Sequence, residues 1–449
     1  MLQCERPDRG TSISVPEDVI YTVLSHLKDD KPALSKCSVV CRTWLRYSRR
    51  YLFHTITLNY AMNGGLPIQR RGGLPAFAGF LRTCADARQY LQRLVLSAQL
   101  WRIASMPDLG PLELRGDELL GVLKAGGNIQ QLTLDNVSWV DSGDAVVPSS
   151  RRTLKHLEIQ QWIRSDEEVL DVLKLIAAFE HLDVLVLSLS EGFIEDTTGR
   201  LANHAETGQF PSVHSLVYET SPEWPATPLY RIMERSCQRH RDMLAHISFI
   251  TWDSTDSWER ITEFCRFICN SDVRFHLRGL EFNAGSGRTL WSAVSLPDWG
   301  VLNLSRLEAL EQLTLALDCE NVTYVGQELS SKLDAYAFVL RTRPPPALQQ
   351  LTIKLYIPNN TDEELRRSRL EYMRRNTRRP AWTALDEASQ ALPTSPQIVF
   401  DCVGPWGDTI RCGAVGQCLQ ELLPRTHARG QLRWMISASF ARWWDEDFP

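Results

Sequence analysis

The chain has 449 residues, 43% of them apolar and 23% charged, and its 49 basic and 54 acidic side chains leave a formal charge of −5. A disordered chain carries far less apolar content and a nucleic-acid-coating protein carries a basic surplus, so both classes are excluded. At roughly 100–200 residues per domain, the length suits several ordinary domains, or one short module joined to a long array.

The opening residues, MLQCERPDRG, lack the apolar stretch of about 7–15 residues that a secretory signal needs. The apolar run VLKLIAAF at 172–179 falls short of the roughly 18–20 residues that cross a bilayer. A soluble chain, cytoplasmic or nuclear, is therefore expected. Eleven cysteines form no CxxC pair, which fits reduced thiols. The N-x-S/T sequons at Asn136, Asn303, Asn321 and Asn359 have no route to glycosylation in such a chain.

The first predicted element is a helix in SISVPEDVIYTVLSHLKDD, with Ser14 as its cap and Pro16 where a missing amide is tolerated. Glu17 and Asp18 place negative charge at the positive end of the helix dipole. Val19, Val23, Leu24 and Leu27 recur at helical spacing and Ile20 widens the stripe. Asp29, Asp30 and Pro32 interrupt it, and Leu34, Cys37, Val40, Cys41, Trp44 and Leu45 restart the period, predicting a second and a third helix. YLFHTITL at 51–58 then turns to strand-like alternation. About 45 residues cannot bury a self-sufficient core, so this module needs a partner: the rest of the chain, another protein, or both.

VPEDVIYTVLSHL followed by LSKCSVVCRTWLRYSRRYLF resembles an F-box, whose pattern is a Leu-Pro-acidic opening, a helix, a Val-Cys-x-x-Trp element and a closing Leu-Phe. Val15 stands where that family has Leu. The resemblance implies docking onto the Skp-family adaptor of a cullin–RING ubiquitin ligase. It assigns that contact to Pro16, Val19, Ile20, Val23, Leu24, Leu27, Leu34, Val40, Cys41, Trp44, Leu52 and Phe53. Packing of the same stripe on the chain's own following domain is the alternative.

Beyond the module one phrase returns nine times, apolar-x-x-apolar-x-apolar, starting at 91, 129, 154, 182, 213, 244, 277, 310 and 348. The spacing is irregular but centred near thirty residues, and alternation within each phrase predicts a strand with one buried face. Helix-period segments lie between, at 117–125, 166–179, 257–270 and 324–340. The array resembles a degenerate leucine-rich repeat, implying an α/β solenoid or horseshoe lined by a parallel sheet. The Asn or Cys that follows the strand in that family is mostly missing, and a doubly wound α/β domain is the competing architecture. The expected organisation is a leader at 1–13, the F-box-like module at 14–58, an array at 59–396 and closing units at 397–449. Loop insertions in the array are expected at 59–90, 97–114, 190–211, 283–302 and 358–396.

No phosphate-loop, zinc-protease, nucleophile-elbow or dinucleotide motif is present, and ten histidines are scattered without ligand spacing. No catalytic residue, cofactor or metal is expected. Cys265 and Cys269, followed by His276, sit among Phe264, Phe267 and Ile268 and read as core. Seven arginines fall at 363–380, among them Arg366, Arg367, Arg369, Arg374 and Arg375; they form either a solvated helix face or a partner-binding patch. Trp443 and Trp444, beside three acids, read as a lid on the last repeat or an interface anchor. The resulting expectation is a non-enzymatic substrate-recognition subunit that binds a Skp-family adaptor with its cullin complex and an unidentified protein substrate. Neither membrane nor nucleic acid is an expected partner. A repeat scaffold whose F-box-like segment is only structural is the alternative.

Overall fold

A computed structural model describes residues 15–60, 62–63, 66–67, 73–98, 112–140, 152–163, 166–190, 210–220, 227–240, 243–251, 257–284, 299–318, 325–356, 379–403 and 410–437. The chain is an α/β protein that divides into two compact units, Met1–Ala145 and Val146–Pro449. Among the described residues no helix is long and apolar enough to cross a membrane.

The first unit begins with three helices, α1 (Glu17–His26), α2 (Lys31–Cys37) and α3 (Arg42–Leu52). Pro16 is the cap residue of α1, two places later than the Ser14 cap expected from the sequence, and makes no side-chain capping bond; Ser14 lies outside the described residues. Asp30 not only ends the first helical stretch but starts the next, its Oδ1 accepting the Ala33 amide at 2.9 Å with Pro32 in the first turn. Then follow β1 (Thr55–Tyr60), the two-residue strands β2 (Met62–Asn63) and β3 (Leu66–Pro67), α4 (Gly73–Thr83), α5 (Ala85–Tyr90) and β4 (Arg93–Ala98). β5 (Leu112–Arg115), α6 (Gly116–Ala125), β6 (Gln131–Asp135) and β7 (Val137–Val140) complete the unit. β1, β4 and β6 pair in parallel, with Thr55 opposite Arg93 and Arg93 opposite Gln131. A module boundary at 58 therefore falls inside a sheet strand. The 59–90 spacer, expected as a loop insertion, carries α4 and α5, which bury Leu74, Ala78, Leu81 and Ala87.

The second unit alternates strand and helix. Its first half holds β8 (Arg152–Trp162), α7 (Asp166–Ala177), β9 (Phe179–Ser190), β10 (Ser212–Thr220), α8 (Thr227–Arg239), β11 (His246–Thr251), α9 (Ser257–Asn270) and β12 (Gly279–Ala284). The second half holds β13 (Gln312–Asp318), α10 (Val325–Thr342), β14 (Gln350–Tyr356), α11 (Arg379–Gln390), β15 (Gln397–Val403), α12 (Ile410–Leu422), α13 (Pro424–Ala428) and β16 (Leu432–Ser437). Every strand from β8 to β16 pairs in parallel with its neighbour in sequence.

Register separates the two faces of this sheet. Across one rung lie Ile159, Leu187, Tyr218, Phe249, Phe282, Leu315, Ile353 and Phe400, and all are buried. One residue along each strand, side chains point to the other face, as strand geometry requires. Helices cover the apolar face: Phe264 of α9 stacks on Phe249 with centroids 4.1 Å apart and rings inclined by 8°.

Candidate protein-docking surface

The side chains assigned to adaptor contact divide into two sets. Ile20, Leu24 and Leu34 are buried and form the module's own small core, packed by Leu27, Cys37, Trp44, Tyr47, Tyr51 and Leu52. Three helices of this length reach a core only by donating these positions to it, so they hold the module's shape. Phe53, at the C-cap of α3, is half-buried. Exposed instead are Pro16, Val19, Val23, Val40 and Cys41.

The exposed set is concentrated. Val15, just before α1, and Val19 and Val23 within it are spaced four residues apart and are 43, 46 and 40% exposed, while Val39 and Val40, in the turn before α3, are 83 and 64% exposed. With Tyr21 these make six of the eleven exposed large apolar side chains among the described residues, all within residues 15–40. Exposed apolar groups gathered on one short segment make it the candidate docking surface, whereas isolated ones carry no such signal.

Polar bonds brace the module from inside. Lys31 Nζ donates to the carbonyls of Leu52 at 2.8 Å and Thr55 at 2.9 Å, closing the end of α3 and the start of β1. Burial holds this amine below its ordinary range, against the pull of Asp29. Tyr47 Oη donates to Glu17 Oε2 at 2.7 Å, linking α3 to the first turn of α1, and the contact with Glu17 raises the phenol. Neither Lys31 nor Tyr47 carries a signal that sequence spacing picks out.

The second unit presents its own chemistry on the polar sheet face. Glu219 on β10 lies opposite Ser188 on β9, which bonds to its carboxylate. Burial, with Glu158 and Glu281 nearby, pushes Glu219 up to about 7 despite that bond. Lys354 Nζ on β14 reaches Glu281 Oε1 on β12 at 2.5 Å.

Cys265 and Cys269 are buried, and burial pushes Cys269 up to about 11 and Cys265 well above the ordinary thiol range; both pack as small apolar groups in α9. Arg366, Arg367, Arg369, Arg374, Arg375, Trp443 and Trp444 lie outside the described residues. No protein-family model matches the chain, and no curated protein is similar to it. The resemblance therefore rests on the residues quoted above and on the surface they form.

Proposed function

We propose that the chain is the substrate-recognition subunit of an SCF-type ubiquitin ligase, holding a Skp-family adaptor through residues 15–53 and a protein substrate through a leucine-rich-repeat-like solenoid. The observation that carries this reading is the F-box-like residue order combined with the exposed apolar set at Val15, Val19, Val23, Val39 and Val40. Burying Val15, Val19 or Val23, each already more than half covered, against an adaptor is worth about 1 kcal/mol, and burying the more exposed Val39 or Val40 is worth about 1.5 kcal/mol. The sum is enough to matter after association costs.

The sequential strand order of the second unit supports the solenoid half of the proposal. A doubly wound sheet reverses its order at a switch point, whereas β8 to β16 run without reversal. Right-handed crossovers between sequential parallel strands put the connecting helices on one face, and the opposite face is the one this reading assigns to a substrate. In this reading the chain performs no covalent step; it raises the local concentration of a substrate lysine beside the conjugating enzyme.

The scaffold alternative draws on one observation: β1 joins the module to the sheet, as a purely structural segment would. Co-expression with a Skp-family adaptor separates the two. Val19→Glu with Val40→Glu is expected to abolish co-purification and leave the circular dichroism spectrum unchanged, because both side chains are solvent-facing. Undiminished co-purification of the double variant would favour the scaffold.

A further inference from the structure

We propose that the polar face of strands β8 to β16 binds a cationic protein segment, seating one lysine or arginine among Glu158, Glu219 and Glu281 and a second beside Asp401. As a statement of substrate class this rests on the ligase reading; as a statement of binding it concerns the chain alone.

The placement follows from register. Gln160, Ser188 and Glu219 share one rung; Lys354 and Asp401 are partners on the corresponding stretch of β14 and β15. Glu281 lies opposite Ser248 on the rung that also takes Glu158, two residues back along the strands and so on the same face. Among the described side chains these four carboxylates share the face with the Lys354 ammonium, which is engaged by Glu281. Exposed Arg433 lies farther out on the terminal strand β16, and His156 Nε2 lies 3.7 Å from Glu158.

Two of the carboxylates sit where an isolated charge is costly. Glu219 is 7% exposed and Asp401 6%, and Asp401 Oδ1 is buried with no hydrogen-bond partner among the described residues. Asp401 is thus a second feature, five strands from Glu219, that a donor from outside would satisfy. Among the described residues no three His, Cys, Asp or Glu side chains converge to share a metal ion, which favours separate organic cations. A guanidinium, with five donors in a planar fork, or an ammonium fits each position, whereas phosphate or an acidic peptide is repelled. Five strand spacings of about 4.8 Å separate the two positions, so an extended segment crossing the strands needs its cations about seven residues apart.

The experiment is fluorescence-anisotropy binding of a labelled peptide of alternating arginine and glycine to the full chain, with the glutamate–glycine peptide as control. Glu219→Gln and Asp401→Asn are each expected to weaken binding about tenfold, the loss of one charge-assisted hydrogen bond. Asp117→Asn with Glu118→Gln removes as many carboxylates from α6 and is expected to change nothing. Equal losses in both sets, or none in the face variants, would overturn the proposal. Glu281→Gln, whose side chain is more accessible, provides the same test if either buried variant fails to fold.

Wild-type affinity is expected to rise between pH 6 and pH 8 as Glu219, held near 7, becomes charged. Ser188 on β9, Glu158 on β8 and Glu281 on β12 act on it directly, His156 and Lys354 on the same face contact Glu158 and Glu281, and β11 contributes uncharged Ser248 and Ile250. A His156→Gln variant separates the imidazole's contribution, and a rise that persists in Glu219→Gln would count against Glu219 as the seat. Adaptor co-purification, measured on the same face variants, is expected to be unchanged. Peptide binding without adaptor binding in the wild type would sink the ligase reading alone, and the converse would sink this one.

Discussion

Glu219 has a consequence for stability as well as for binding. Its carboxyl moves from 4.5 in its unperturbed form to about 7 in the folded chain, with burial the largest cause. Between those values the folded chain holds a proton that the unfolded chain has released, so raising the pH favours unfolding. The stabilisation is present below 4.5 and is lost as pH rises through about 7, with a limit of about 3 kcal/mol. Chemical denaturation of the wild type and Glu219→Gln at pH 5 and pH 8 checks this: the stability difference between the two proteins should shrink towards pH 5. A constant difference would show that Glu219 stays charged throughout. Glu219 follows the 213–218 phrase by one residue, where continued alternation turns it away from the buried face. Its raised pKa was not legible in the sequence, because burial in the folded chain comes first and Glu158 and Glu281, which add to it, are each about sixty residues away. Gly279 teaches the same lesson. The ring of His246, on the preceding strand, occupies the space a Cβ at that position would need, which a phrase read alone does not reveal.

At the scale of elements, the repeated phrases locate the strands well, since 91–96 becomes Arg93–Ala98 and 348–353 becomes Gln350–Tyr356. Irregular spacing between phrases is tolerated because strand entry is fixed by backbone. The carbonyls of His54, Gln92, Ala245, Arg278 and Glu311 each accept two successive amides from the start of a following strand. That device needs no particular side chain, so strand entry leaves no residue signature in the phrases. Longer-range caps are invisible to periodicity. Asp386 of α11 is buried and accepts the amides of Arg425 at 3.0 Å and Thr426 at 2.9 Å, and the Thr426 hydroxyl at 2.5 Å, holding the first turn of α13. Asp386→Ala leaves those donors unpaired and is expected to cost about 2–4 kcal/mol, with amide exchange accelerating first in 424–428. Unchanged exchange there would mean that α13 is held by its packing alone. Lys31 makes the corresponding bonds in the N-terminal module. Lys31→Met should destabilise α3 by about 1.5–3 kcal/mol, read as faster exchange at 49–55 than at 17–26.

Across the whole molecule, composition allowed several ordinary domains, and the order of the strands narrows that greatly. From β8 onward each strand touches only its sequence neighbours in the sheet, so stability is expected to pass from repeat to repeat and not through one central core. The aromatic column tests this. Phe264 stacks on Phe249 and lies 6.3 Å from Phe282 and 6.2 Å from Tyr230, joining α8, α9, β11 and β12. Phe264→Ala opens a cavity among them at a cost of about 3–5 kcal/mol. If neighbour coupling dominates, amide protection should fall steeply in β10 to β13 and much less in β15 and β16, where Trp382 and Phe400 form a separate contact at 6.2 Å. Uniform loss from β8 to β16 would instead require a single cooperative domain, and the repeat reading of the second unit would have to be abandoned.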